Sequence, residues 1–171
     1  ADAAGSLSAG VLAQIVATAA VTGPVGQDLY RKEPGRYPLS AVTILTTTDA
    51  ESEVTSAVSQ GAILGEAVNL TRELVNRPAA DIYPESFAAR AAAMADSCGL
   101  KCEVLDEAKL SEEKMGSLLA VAQGSDRPAR VVVLEHAGGD ANGPTLALVG
   151  KGVTFDSGGL SLKTSEGMKT M

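Results

Sequence analysis

The sequence predicts an α/β fold, a sheet flanked by helices. Three observations carry this. The runs "RVVVLEH" and "TLALVG" are almost continuously apolar, as strands covered on both faces are. Long stretches between the candidate strands repeat their apolar residues at three- and four-residue steps, the helical period. The two kinds of segment alternate along the chain, which is the pattern of a sheet with helices packed on it.

Taken in order, Ser8–Val21 reads as a helix with Leu12, Ile15, Val16 and Ala19 on one face, ended by "TGPVG". A strand is expected around Ala41–Thr47, where β-branched residues lie between turn-forming ones. Glu51–Val75 reads as a long helix carrying Val54, Val58, Ala62, Leu64, Val68 and Leu74, and Pro78 and Pro84 disfavour its continuation. Pro84 and Glu85 suit the first turn of the next helix, and Gly99 suits its C′ position. "KCEVLD" follows as a short strand, "EAKLSEEKM" as a short helix, and then come the two apolar strands. A last helix is expected to start near Ser165, with Met168 and Met171 packed in a core. A domain boundary is expected near Thr47–Ser52, because the residues before it are too few to bury a core alone. Residues 1–48 then read as the tail of one domain and 49–171 as the beginning of another.

Composition narrows the function. The 171 residues are 45% hydrophobic and 20% charged, ordinary for a globular chain, with a net charge of −7 and no basic block. Nucleic acid is therefore not an expected partner. No run reaches the roughly 18 apolar residues of a membrane span, so no membrane partner is expected either. Cys98 and Cys102 lack a second pair for a zinc site and are expected as free thiols of a reducing compartment. The single histidine, His136, is expected to be structural or on the surface. Asn76, Arg77 and Asp81 are expected to cap backbone groups in a turn.

Chemistry concentrates in "VGKGVTFDSGGLSLK", residues 149–163. Lys151, Asp156 and Lys163 follow an apolar run, and ligands bind outside the carboxyl ends of strands in open α/β sheets. Glycines 150, 152, 158 and 159 permit positive φ and close backbone approach. A phosphate loop fails on spacing, since glycine rather than Ser or Thr follows Lys151. Ser157 has no base in sight to make it a nucleophile. A purely structural loop with a capping aspartate and solvated lysines stays open. So does a metal and acid/base site, in which a deprotonated lysine amine and a hard carboxylate oxygen meet a zinc, manganese or magnesium ion. A protonated second lysine would polarise a carbonyl there.

This stretch, with "SEGMKTM" after it, resembles the leucyl aminopeptidase family, the dinuclear-metal exopeptidases of the M17 type. The resemblance extends through "LVNRPAADIYPESFA" (Leu74–Ala88), "LLAVAQGS" (Leu118–Ser125) and "VVVLEH". It implies two divalent metal ions (zinc, manganese or magnesium), with Lys151 ligating one through its amine and Asp156 holding the metals. It implies Lys163 as the catalytic lysine over the substrate carbonyl, and a metal-activated water that removes N-terminal residues from peptides. It also implies a cytoplasmic location and a homo-hexamer. The family's remaining metal carboxylates and its arginine are expected after the segment matching Met171, so the chain is expected to be a fragment and inactive by itself. A non-catalytic oligomerisation or interaction module built on the same fold is the alternative.

Overall fold

The computed structural model describes residues 7–26, 28, 30–140 and 143–169. Backbone contacts divide the chain into two compact units, Ala1–Arg77 and Pro78–Met171. This division follows packing, whereas the boundary expected at residue 48 concerns where one family domain gives way to another.

In the first unit, α1 (Ala9–Thr22) lies against α2 (Glu51–Asn76), which a single 3₁₀ turn (Thr48–Ala50) precedes. Ser8 caps α1, its hydroxyl accepting from the Val11 amide. Arg77, the residue before Pro78, is extended at φ −75° and ψ 142°, and there α2 stops. The two helices run parallel, because Glu53 in the first turn of α2 meets the start of α1 while Asn69 and Arg72 meet its end. Glu53 Oε1 accepts from the Gly10 amide at 2.9 Å and from the Ser8 hydroxyl at 2.8 Å. Arg72 donates to the Thr22 and Val25 carbonyls at 3.0 and 2.9 Å, and Asn69 to the Val21 carbonyl at 3.0 Å. A carboxylate thus sits at the positive end of α1 and a guanidinium at its negative end, both supplied by the neighbouring helix. Glu53→Gln and Arg72→Met are each expected to cost this unit about 1 kcal/mol, read as a lowered urea midpoint at unchanged slope.

The packed faces differ from those expected. Leu12, Ile15 and Val16 of α1 are exposed, and the buried residues are Gly10, Ala13 and Ala17. On α2 the buried residues are Val54, Ala57, Gly61 and Gly65. Small residues face each other because the backbones come close: a Cβ on Gly61 would meet the Ala17 methyl at 2.8 Å and the Gln14 carbonyl carbon at 3.2 Å. Apolar size alone did not choose the interface.

In the second unit, Pro84 opens α3 (Pro84–Cys98), and Gly99 closes it at φ 68°, ψ 29° with the Leu100 amide donating to Ala95 O. The strand β1 (Lys101–Leu105) follows. Asp106 then caps α4 (Glu107–Glu112), its carboxylate accepting from the Lys109 amide at 2.9 Å. A helix absent from the expectations, α5 (Gly116–Ala122), spans most of "LLAVAQGS". The strand β2 (Val131–Glu135) pairs antiparallel with β1, from Lys101 opposite Glu135 to Leu105 opposite Val131. Leu110 of α4 is fully buried among Leu105, Ala129, Met115, Leu118, Leu119 and Val131. The chain's last described helix, α6, is Ser165–Lys169; Met168 is half-buried, and Met171 lies outside the described residues.

The α/β class stands, but the sheet is small, two-stranded and half exposed rather than largely buried. Neither the run at 41–47 nor "TLALVG" forms a strand. A strand exists only beside a hydrogen-bonding neighbour, and no described segment gives either run one. Leu45, Leu146, Leu148 and Val149 are accordingly exposed.

Candidate metal and peptidase site

Asp156, Ser157, Gly158 and Gly159 turn the chain back on itself. Asp156 Oδ1 accepts from the Gly158 amide at 2.9 Å, an Asx turn that fixes the carboxylate's orientation. Gly158 and Gly159 have φ of +93° and +62°. The Ser161 amide then donates to Gly158 O at 3.2 Å, and the Lys163 amide to Ser157 O at 2.9 Å. This closure returns the Lys163 side chain to the start of the loop. Its ammonium lies 3.0 Å from Asp156 Oδ2 and 2.7 Å from the Asp156 backbone oxygen.

Of the three expected site residues, the structure therefore brings Asp156 and Lys163 into direct contact. Lys151 is exposed, and it enters through its charge. The Lys163 ammonium, bonded to Asp156, holds the Asp156 carboxyl below its ordinary 3.8. The Gly158 amide adds to this, and the Lys151 charge adds the smallest pull. Since the folded value is depressed, the ionised carboxylate stabilises the closed loop at every pH above 3.8. That contribution disappears as acid titrates the group through its lowered value. Amide and side-chain NMR of the loop is accordingly expected to stay constant from neutral pH down to about 4 and to change together below it.

The loop does not rise from the end of a strand, because residues 145–150 are not one. What sequence reasoning missed is the grip of Lys163 on Asp156. The "DSGG" turn was its only local signal. His136 is exposed, as expected of a surface residue, and the thiols of Cys98 and Cys102 are free. Arg77 pairs with Glu73 at 2.8 Å, and the Pro78 carbonyl accepts from the Asp81 amide. A cavity of about 980 Å³ lies in the first unit against Val54, Val58 and Ile44, and its lining includes none of the loop residues.

The donors suit a hard or borderline dication in kind: one carboxylate from Asp156 and one amine from Lys151. In number they fall short of the four or more ligands such an ion takes. Among the described residues no group of three or more His, Cys, Asp or Glu converges. No helix among them is long and apolar enough to cross a membrane.

Comparison with known proteins agrees with the family resemblance. Residues 69–171 match the model of the cytosol aminopeptidase family, catalytic domain. A probable cytosol aminopeptidase of Rhodopirellula baltica is 47% identical over 156 residues, covering 91% of this chain and 29% of that protein. One from Syntrophotalea carbinolica is 48% identical over 134 residues, covering 78% of this chain and 27% of its own length. The chain thus spans less than a third of these relatives. The structure of the bottromycin maturation enzyme BotP in complex with Mn superposes with a TM-score of 0.80 at 41% identity, covering 99% of this chain and 34% of that one.

Proposed function

This chain belongs to the cytosol aminopeptidase family, and on that premise we propose that it contributes metal-binding and catalytic side chains to a metallo-aminopeptidase that releases N-terminal residues from peptides. The observation that carries the reading is the closed loop in which Asp156 and Lys163 meet. The Mn bound in BotP, at 41% identity, supports a divalent ion as the group held.

In this reading Asp156 offers carboxylate oxygens and Lys151 an amine to divalent ions, manganese, zinc or magnesium, whose remaining ligands come from elsewhere. The chemistry supplied by such ions, when bound, is Lewis-acid polarisation and an acidified water. Lys163 donates from its ammonium toward the carbonyl oxygen of the scissile peptide, stabilising the negative charge that develops there. The glycines keep side chains out of the space the peptide needs. A cytoplasmic homo-hexamer, which the resemblance to the leucyl aminopeptidase family implies, belongs to the same proposal.

The test is a chimaera in which residues 1–171 replace the matching third of the Rhodopirellula baltica protein. It is expected to release N-terminal residues from peptides in the presence of Mn²⁺, and Lys163→Met within it to lower kcat by about 10²–10³-fold with little change in KM. A folded, metal-loaded chimaera whose kcat ignores that substitution would refute the catalytic role. The isolated 171 residues, with one carboxylate and one amine at the loop, are expected to show no turnover.

A further inference from the structure

The geometry points to Lys163 as an exchangeable cation that occupies Asp156 until a divalent ion displaces it, with Gly158 as the positioning residue that closes this latch. The inference rests on the metal-site reading above and adds to it an order of events: taking up the ion and releasing the lysine are one exchange.

Asp156 Oδ2, an oxygen a metal would need, lies 3.0 Å from the Lys163 ammonium. The same ammonium holds the backbone oxygen of Asp156 at 2.7 Å, so one residue engages it twice. Oδ1 is meanwhile turned toward the Gly158 amide. An incoming dication must therefore compete with a positive charge already in place. A binding site open only a fraction of the time has its apparent affinity lowered by that fraction. Release of the lysine frees it to reach a substrate carbonyl, which it cannot do while bound to Asp156.

Gly158 is what makes the closed form possible. At φ +93° an L side chain is strained, and a Cβ there would run into the Ser161 carbonyl oxygen and come within 3.1 Å of the Lys163 amide. Those are the atoms of the turn that carries Lys163 back. Gly152 has no such constraint: nothing lies within 4 Å of where its Cβ would be.

The experiment uses the 171-residue chain, with Mn²⁺ alone as the probe, and follows paramagnetic broadening of the Gly158 and Gly159 amides and the Lys163 ammonium signal by NMR. In the metal-free chain the Lys163 ammonium is expected to be shifted and protected from solvent exchange. Gly158→Ala should return it to the values of a solvated lysine, and Gly152→Ala should leave it unchanged. Lys163→Met is expected to be broadened at Mn²⁺ concentrations about tenfold lower than the parent chain, as for a latch closed about nine-tenths of the time. Equal or weaker broadening in Lys163→Met overturns the exchange, as does a Lys163 signal indifferent to Gly158→Ala. Asp156→Asn separates the two levels. Broadening that survives that change, or is missing even from the chimaera that supplies the remaining ligands, removes the metal-site reading and the latch with it. Broadening lost in Asp156→Asn but not strengthened in Lys163→Met removes the latch alone.

Discussion

Leu110→Ala is expected to destabilise the second unit by about 3 kcal/mol, a large fraction of the roughly 5–15 kcal/mol that keeps a domain folded. Leu110 has no exposed surface, and it is the one large side chain so completely buried among the described residues. Its neighbours come from β1, the α4–α5 connection, α5 and the approach to β2, so a cavity there would loosen every contact at once. The surroundings cannot collapse easily into the space. Two of them, Leu105 and Val131, are paired with each other across the sheet, and Met115 is tied by its amide to Leu110 O at 2.9 Å. Leu110→Met, which keeps the volume, should cost less than about 1.5 kcal/mol. Chemical unfolding followed by circular dichroism reads both; equal stabilities for the two variants would show that this cluster is not what holds the unit. The same measurement bears on function, because the candidate loop lies in this unit.

The ends of elements were legible in the sequence, and their faces were not. Pro78, Pro84 and Gly99 act through the backbone of their immediate neighbours, and each marks a boundary where it was expected. The packed face of α1 depends on what lies opposite. Ala13 and Ala17 win over Leu12, Ile15 and Val16 because Gly61 and Gly65 on α2 let the backbones approach closely. Two of the four expected strands, "KCEVLD" and "RVVVLEH", formed, and the other two failed for a related reason. The apolar letters of "TLALVG" and of residues 41–47 do suit a strand, but a strand is made by a neighbour that no local window contains. At the candidate site, residue types and spacing singled out Lys151, Asp156 and Lys163, and the glycines pointed to the tight turn. They could not disclose that seven residues of loop bring Lys163 back to Asp156, since that requires the particular φ values of Gly158 and Gly159.

Replacing Lys151 by arginine is expected to do as much damage as replacing it by methionine, and this separates two roles that charge alone would confuse. If Lys151 serves only by its positive charge, an effect visible in the small pull it exerts on Asp156, arginine preserves that service. If it serves as a ligand, it must offer a lone pair, which an amine can do after losing its proton. A guanidinium keeps its proton at any accessible pH and has no acceptor to offer. In the chimaera, Lys151→Arg and Lys151→Met should therefore both lower Mn²⁺ affinity by about 100-fold or more, beyond the 10–100-fold that loss of a merely supporting partner costs. Turnover should fall with metal occupancy and recover in part at saturating Mn²⁺. The arginine variant retaining parental Mn²⁺ affinity would assign Lys151 an electrostatic role and leave Asp156 as this chain's only protein ligand in the loop. Unchanged unfolding midpoints for both chimaera variants would show that the loss of binding does not come from a disturbed fold.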